Sequence, residues 1–332
     1  PPPVNPTGDL AGGLFLILAL AGCDAPSKYP SNEGRPGGPY RMTFEFSPTA
    51  PIAGKSTILT ERVMHRNNGE PVRELQVLHD RVIHNFIVKR DFSSFAHIHQ
   101  EDFEPLTAAD LDTATLKFPY QFPSDGPYRI VSEFTHRNRS WTKHFDVTVG
   151  GANNEPHVVT DLSREKSIDG FDATLSVSPT QPVAGFETEL VLELKRGTEL
   201  VTDLELILGS EAHVALWRID GSHFGHTHSY TPHMAAMMGK MHDRAADPQL
   251  RAKAMTKMMI AMMNEPPVLV FPGPRIPLRY VFSEPGTYAI FIQCAPGGVS
   301  SVFNFMVEVS EYRTGADTQI QSNVQPGMRH DK

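Results

Sequence analysis

One sequence pattern occurs twice along this chain of 332 residues, and this repetition limits what the chain can fold into. The segment 47–54 (SPTAPIAG) matches the segment 178–185 (SPTQPVAG). Further matches follow in the same order, pairing 84–91 with 213–220, 95–99 with 224–228, and 122–128 with 282–288. Separate matches in one order indicate a duplicated domain, because a single motif could recur by chance but an ordered set does not.

Each copy contains short stretches in which polar and apolar residues alternate, as in 40–46 (YRMTFEF) and 303–309 (FNFMVEV). Alternation with a period of two, interrupted by Pro and Gly, predicts β-strands. Short strands at this spacing predict an all-β chain of two tandem immunoglobulin-like (cupredoxin-like) β-sandwiches. We expect these domains at residues 39–149 and 170–310, joined by a linker at 150–169.

The N-terminal region resembles that of a bacterial lipoprotein. An apolar run at 14–22 is too short to cross a bilayer, and it ends in Leu-Ala-Gly before Cys23, as in a lipobox. We therefore expect a signal peptide at 1–23, lipidation of Cys23, and a flexible tether at 24–38. Asp24 resembles an inner-membrane retention signal. The expected location is the cell envelope, facing the periplasm, with the membrane as a partner through the lipid anchor.

The second copy is longer than the first because of an insertion near 231–265. Its methionines recur at i, i+3, i+4 and i+7, which predicts a short Met-rich α-helical hairpin. Thioether sulfur is a soft ligand that selects Cu(I), but a Met stripe can also simply pack against a sandwich. Residues 311–332 are polar and lack periodicity, so we expect a disordered tail.

A His-x6-Asp-x5-His-x-His pattern occurs once in each copy. Its residues are His84, Asp91, His97 and His99 in the first copy, and His213, Asp220, His226 and His228 in the second. A His-x-His on a strand places both rings on one face, and a third His from a neighbouring strand completes a metal triad. Neutral imidazole suits copper, zinc and nickel. The Asp is a fourth ligand, a partner that fixes a His tautomer, or a cap of the turn after its strand.

Additional metal ligands are considered near the second motif. They are His223, His233, Met234, Met237, Met241, His242 and Cys294. A Cys294 thiolate near His226 and His228 would favour Cu(I), although a buried, unreactive cysteine is the commoner case. Histidines found only in the first copy, such as His79, are expected at the surface, with His136 as a candidate to face the first site.

The stretch 84–99 (HNFIVKRDFSSFAHIH) resembles a segment of bacterial exported proteins of the YtkA-like, immunoglobulin-fold kind. In those proteins a His, an apolar strand, an Arg-Asp pair, an aromatic residue and His-x-His-Pro follow one another, often near copper or heavy-metal transport genes. The resemblance covers both copies, and it implies a sandwich fold and a role in metal homeostasis. Gln100 and Ser229 stand where Pro is usual, and the Met-rich insertion is a second departure, one that favours copper.

The net charge of −8 gives no reason to expect a nucleic-acid partner, and no phosphate-loop, dinucleotide or nucleophile-elbow motif predicts an enzyme. We therefore predict a periplasm-facing lipoprotein that binds copper, with zinc as the second choice. It would store or buffer the metal, or deliver it to a periplasmic metal-transport protein or metalloenzyme. The alternative is a structural, adhesin-like envelope module whose His/Asp sets are hydrogen-bond networks and whose Met hairpin docks a partner protein.

Overall fold

The computed structural model describes residues 38–151, 156–229 and 273–312. These residues form two β-sandwich domains, one for each copy of the repeat, and the all-β prediction is confirmed. The predicted signal peptide with Cys23, almost all of the tether, the Met-rich insertion and most of the tail lie outside the described residues.

The first domain packs a three-stranded sheet against a four-stranded sheet. Its strands are β1 Tyr40–Ser47, β2 Ser56–His65, β3 Ile83–Lys89, β4 Phe95–Ile98, β5 Thr115–Gln121, β6 Gly126–His136 and β7 Arg139–Val149. The strand orders are β1-β2-β5 and β4-β3-β6-β7, with all neighbours antiparallel. A 3₁₀ turn at Gln100–Asp102 and the helix α1, Ala108–Thr113, connect β4 to β5.

The second domain repeats this arrangement with additional short strands. Its strands are β8 Glu165–Ile168, β9 Phe171–Ser178, β10 Glu187–Arg196, β11 Glu199–Leu200, β12 Leu204–Glu205, β13 Ala212–Arg218, β14 Phe224–His228, β15 Arg275–Val281, β16 Gly286–Pro296 and β17 Ser301–Val309. The sheet orders are β11-β10-β9-β8, with β15 also on β10, and β12-β16-β13-β14, with β17 also on β16. Strand β8 falls within the predicted linker 150–169, but it pairs with β9 across a tight turn. Its residues therefore extend the second domain.

The two domains pack on each other through their sheets β4-β3-β6-β7 and β14-β13-β16-β17. Strands β3 and β13 carry buried apolar side chains on both faces, so one face fills the domain's own core and the other is available to meet a neighbour. The rings of Phe95 and Phe291 stack across the interface with centroids 4.6 Å apart, and those of Phe86 and Phe224 lie 5.1 Å apart. Because these residues belong to one buried cluster, the domain interface is a hydrophobic core of its own.

Candidate metal centre

Three histidines of the first domain, His84, His97 and His99, form a group that we call the first triad. Strand β3 pairs with β4 so that Phe86 faces His97, and this register sets His84 beside His99. All three rings point to the sheet face that meets the second domain, because side chains alternate along a strand. The nitrogens Nδ1 of His84, Nε2 of His97 and Nε2 of His99 lie 3.0–3.1 Å from one another.

The remaining nitrogen of each ring in the first triad meets an oxygen acceptor. His84 Nε2 donates to the Leu78 carbonyl at 2.9 Å, and His99 Nδ1 to the Asp102 carboxylate at 2.9 Å. His97 Nδ1 donates to Oε1 of Gln293, in the second domain, at 3.0 Å. A neutral imidazole carries one N–H, so a ring that donates outward presents a bare lone pair inward. The three inward nitrogens therefore offer three converging lone pairs.

Burial disfavours the protonated form of two of these rings, His84 and His97. It holds the pKa of His84 and of His97 well below the usual value, and the neighbouring histidines lower both further. Burial raises the pKa of the Asp102 carboxyl, but hydrogen bonds from His99 and Arg81 outweigh it and hold this pKa below its usual value. The site therefore combines converging imidazole nitrogens with a carboxylate on the outer nitrogen of one ring, His99, which is a common way to orient a metal-binding histidine.

The spacing of the first triad fits a transition-metal ion. Zinc–imidazole bonds are about 2.0–2.1 Å, and tetrahedral geometry then sets the ligand nitrogens about 3.3 Å apart. The observed separations of 3.0–3.1 Å are close to this value. An ion would need only a small outward shift of the rings.

The second triad, His213, His226 and His228, repeats this geometry on β13 and β14, where His213 pairs directly with His228. His213 Nε2 donates to the Ile207 carbonyl at 2.8 Å, and His226 Nδ1 to Glu133 Oε2, from the first domain, at 2.7 Å. The inward nitrogens lie within 4.8 Å of one another and are buried without any hydrogen-bond partner. Buried polar atoms are nearly always satisfied, so three unpartnered ring nitrogens at one point fit a site for a cation.

The two triads lie side by side across the domain interface. Ring centroids of His97 and His213 are 5.5 Å apart, and those of His84 and His226 are 5.6 Å apart, similar to distances within a triad. The sequence predicted each triad but not their proximity. The signal that could have revealed it is the pair of strands β3 and β13, which carry apolar side chains on both faces and so favour a covering partner.

His79 also belongs to this region, so its expected surface position is wrong. It lies in a tight turn of the first domain, and its ring packs at a tilt of 32° against His228 of the second domain, with centroids 3.8 Å apart. Burial lowers its pKa to about 4. The corresponding turn of the second domain carries Leu208, so the two triads have different neighbours.

The two aspartates of the motif, Asp91 and Asp220, cap the turns that follow their strands. Asp91 Oδ1 accepts hydrogen bonds from the backbone and hydroxyl of Ser93, and Asp220 Oδ1 accepts the same bonds from Ser222. Neither carboxylate belongs to the converging groups. Of the three predicted roles, turn capping is the one observed, because the Asp-x-Ser spacing closes an Asx turn, and neither aspartate is placed as a fourth ligand.

The other proposed ligands lie away from the triads or outside the described residues. Cys294 points into the second domain's own core, because its neighbour Gln293 occupies the interface face of β16, and burial raises the thiol pKa to about 12. His223 bonds the Ser222 hydroxyl in the turn before β14. His136 bonds the Tyr40 hydroxyl inside the first domain rather than facing the first triad. Outside the described residues are His233, Met234, Met237, Met241 and His242.

The solved structures that match this chain share little sequence with it. The Escherichia coli adhesin FdeC is 11% identical, with 81% of this chain and 64% of that chain covered and a TM-score of 0.22. Dimeric latent PorU from Porphyromonas gingivalis is 11% identical, with 82% and 20% covered and a TM-score of 0.22. An Escherichia coli alpha-2-macroglobulin is 8% identical, with 84% and 16% covered and a TM-score of 0.24. The chain spans less than two thirds of each of these proteins.

No curated protein sequence matches this chain. Within residues 38–151, 156–229 and 273–312, no helix has the length and apolar character needed to cross a bilayer. The resemblance to YtkA-like proteins stays a prediction. A family model does match, over residues 37–151 and again over 166–311, in agreement with the two domains of the structure. The chain therefore belongs to the family described as Domain of unknown function (DUF8832), and it contains two consecutive copies of that domain.

Proposed function

We propose that this protein binds two metal ions, one at each triad, and that copper is the metal it handles. The observation that carries the proposal is the convergence of three inward nitrogens in each triad. In five of the six rings the outer nitrogen donates a hydrogen bond to an oxygen atom. Imidazole ligands suit copper and zinc, and the absence of a carboxylate from both converging groups disfavours magnesium and calcium.

Copper is favoured over zinc by charge. A buried site built from three neutral rings supplies no anionic ligand of its own, so a monovalent ion costs less to desolvate there than a divalent one. The Met-rich segment near 231–265, which offers soft thioether ligands, follows the second triad directly in the sequence. Within this proposal the protein is an exported lipoprotein that stores, buffers or delivers copper at the periplasmic face of a membrane.

The test is metal stoichiometry on the chain without residues 1–23, loaded separately with Cu(I), Cu(II) and Zn(II). We expect two ions per chain at Kd values of about 1 μM or tighter. His99→Ala and His228→Ala should each remove one ion, and the double variant should bind none. His144→Ala is the matched control, because His144 is an exposed histidine outside both converging groups, and it should bind two.

The rival hypothesis is a structural envelope module in which the histidines only bond to each other. The inward nitrogens of the first triad are 3.0–3.1 Å apart, which is a hydrogen-bond distance. In a neutral ring, however, the one N–H is already used by the outer oxygen acceptor, so no proton remains for a bond between the rings. If the wild-type chain binds none of the three ions while His99→Ala and His228→Ala lose stability, the structural hypothesis replaces the metal hypothesis.

A further inference from the structure

The two domains exchange the residues that orient their histidines. Glu133 belongs to β6 of the first domain, yet its carboxylate accepts the hydrogen bond from His226 of the second. Gln293 belongs to β16 of the second domain, yet its side-chain oxygen accepts the hydrogen bond from His97 of the first. The two residues occupy equivalent register positions, because Glu133 pairs with His84 and Gln293 pairs with His213.

This exchange means that neither triad is complete within its own domain. The outer hydrogen bond fixes which nitrogen of His97 and of His226 carries the proton, and so which nitrogen points inward as a lone pair. If the domains separate, both rings lose that partner, and their inward lone pairs are no longer enforced. His79, which covers His228 from the opposite domain, would also be withdrawn.

We infer that domain docking and metal binding at both triads are one coupled equilibrium, in which Glu133 and Gln293 act as positioning residues for the site of the opposite domain. This inference rests on the proposed metal-binding function. An ion that binds the docked arrangement more tightly than the separated one must favour docking by the same factor. The ligand class is a transition-metal ion that accepts imidazole, and the protein would report its presence as a locked domain arrangement.

The first experiment separates own-domain from cross-domain effects by titrating the full chain with Zn(II). His228→Ala leaves the first triad as the one complete triad, and His99→Ala leaves the second. In each background Glu133→Ala and Gln293→Ala are compared. Glu133→Ala should weaken Zn(II) binding at the second triad by about 10- to 100-fold and change the first by less than about threefold. Gln293→Ala should do the reverse.

Two variants control for a general loss of packing. Glu133→Gln retains an oxygen acceptor for His226, so it should restore most of the affinity lost in Glu133→Ala. Asp102→Ala removes an acceptor that lies in the same domain as its histidine, His99, and it should weaken only the first triad. If Glu133→Ala and Gln293→Ala weaken only the triads of their own domains, or neither triad, the inference is overturned.

The second experiment measures docking directly. The chain has two tryptophans, and Trp217 lies in the interface cluster while Trp141 lies in the first domain's core. In a Trp141→Phe background the fluorescence comes from Trp217, and Zn(II), whose d shell is full, serves as the ion. Zinc should reduce acrylamide quenching of Trp217, and the His99→Ala/His228→Ala variant should show no such response. Unchanged quenching on binding two zinc ions would contradict the coupling.

The outcomes also distinguish this inference from the function on which it rests. If the wild-type chain binds no ion, the proposed function itself fails. If it binds two ions but the cross-domain variants and Trp217 behave as in independent domains, only the coupling fails.

Discussion

At the scale of single residues, the structure separates carboxylates that orient histidines from those that shape turns. Asp102 bonds both the backbone and the ring of His99, whereas Asp91 bonds Ser93. Asp91 is the aspartate of the motif, whereas Asp102 lies three residues after its last histidine, so the residue that orients a ring is outside the sequence pattern.

This distinction predicts different effects on metal binding. Asp102→Asn should weaken binding at the first triad by about tenfold, because the His99 ring loses a charged acceptor. Asp91→Asn should leave metal affinity unchanged and cost less than about 1 kcal/mol in the free energy of unfolding, because an Asn can also close the turn. Isothermal titration and urea unfolding measure the two quantities, and a loss of affinity in Asp91→Asn would reinstate Asp91 as a ligand.

A buried carboxyl distinguishes the core of the first domain from that of the second. Glu61 bonds Asn85, which in turn accepts a hydrogen bond from Ser132. Burial raises the pKa of Glu61 to about 8. The second domain has Leu192, Val214 and Ile292 at the equivalent register positions, so this network is not needed for the fold.

Glu61 therefore predicts a loss of stability as the pH rises from about 4.5 to just above 8. Its folded pKa lies above its unfolded value, so the folded state holds a proton that the unfolded state lacks between pH 4.5 and 8. The free energy of unfolding should fall as the pH rises through 8, by about 1 kcal/mol between pH 7 and 9. Urea unfolding of metal-free protein measures it, and Glu61→Gln should show a flatter dependence. An equal slope in both proteins would refute the assignment.

At the scale of secondary-structure elements, register explains what could be predicted from the sequence. The His-x-His spacing placed two rings on one face of β4 and of β14, and pairing with β3 and β13 supplied the third. Alternation also places Cys294 in the core, once Gln293 is known to face the interface. The contact between the two sheets could not be predicted in detail, because the pairing of Glu133 with His226 depends on distant surfaces that leave no local pattern.

Strand β14 also depends on one glycine beside the second triad. A Cβ built on Gly225 would overlap the hydroxyl oxygen of Tyr280, whose side chain is buried. Gly225→Ala should therefore destabilise the second domain by about 1–3 kcal/mol and weaken metal binding at the second triad. The equivalent residue of the first domain is Ala96, so Ala96→Gly is a matched control and should cost less. Calorimetric melting measures both, and an undisturbed Gly225→Ala would show that Tyr280 can move.

At the scale of the whole molecule, the interface concentrates histidines that resist protonation. Burial holds the pKa values of His84, His97, His213 and His228 well below the usual value of 6.5, and that of His79 near 4. For a group whose folded pKa is lowered in this way, the unfolded state takes up protons first as the pH falls. The stability that these rings contribute is complete above about pH 6.5 and is lost below it.

We therefore expect metal-free protein to lose stability steeply between pH 6.5 and 5, and zinc-loaded protein to resist this loss until protons displace the ion. Thermal melting with and without EDTA measures the difference. His79→Leu, which introduces the residue type found at Leu208, should reduce the acid sensitivity of the metal-free chain. A melting temperature that stays constant over this range would contradict the burial of neutral rings.

The apolar second face of β3 has a consequence for synthesis of the chain. The first domain leaves the ribosome before the second, with Phe86, Val88 and Phe95 on a sheet face that nothing yet covers. Until residues such as Trp217 and Phe291 have emerged and folded, that face is an exposed hydrophobic surface that can bind other unfolded chains. A cell that makes this protein must keep nascent chains apart, and shortening the chain after the first domain should yield aggregates rather than a soluble half-molecule.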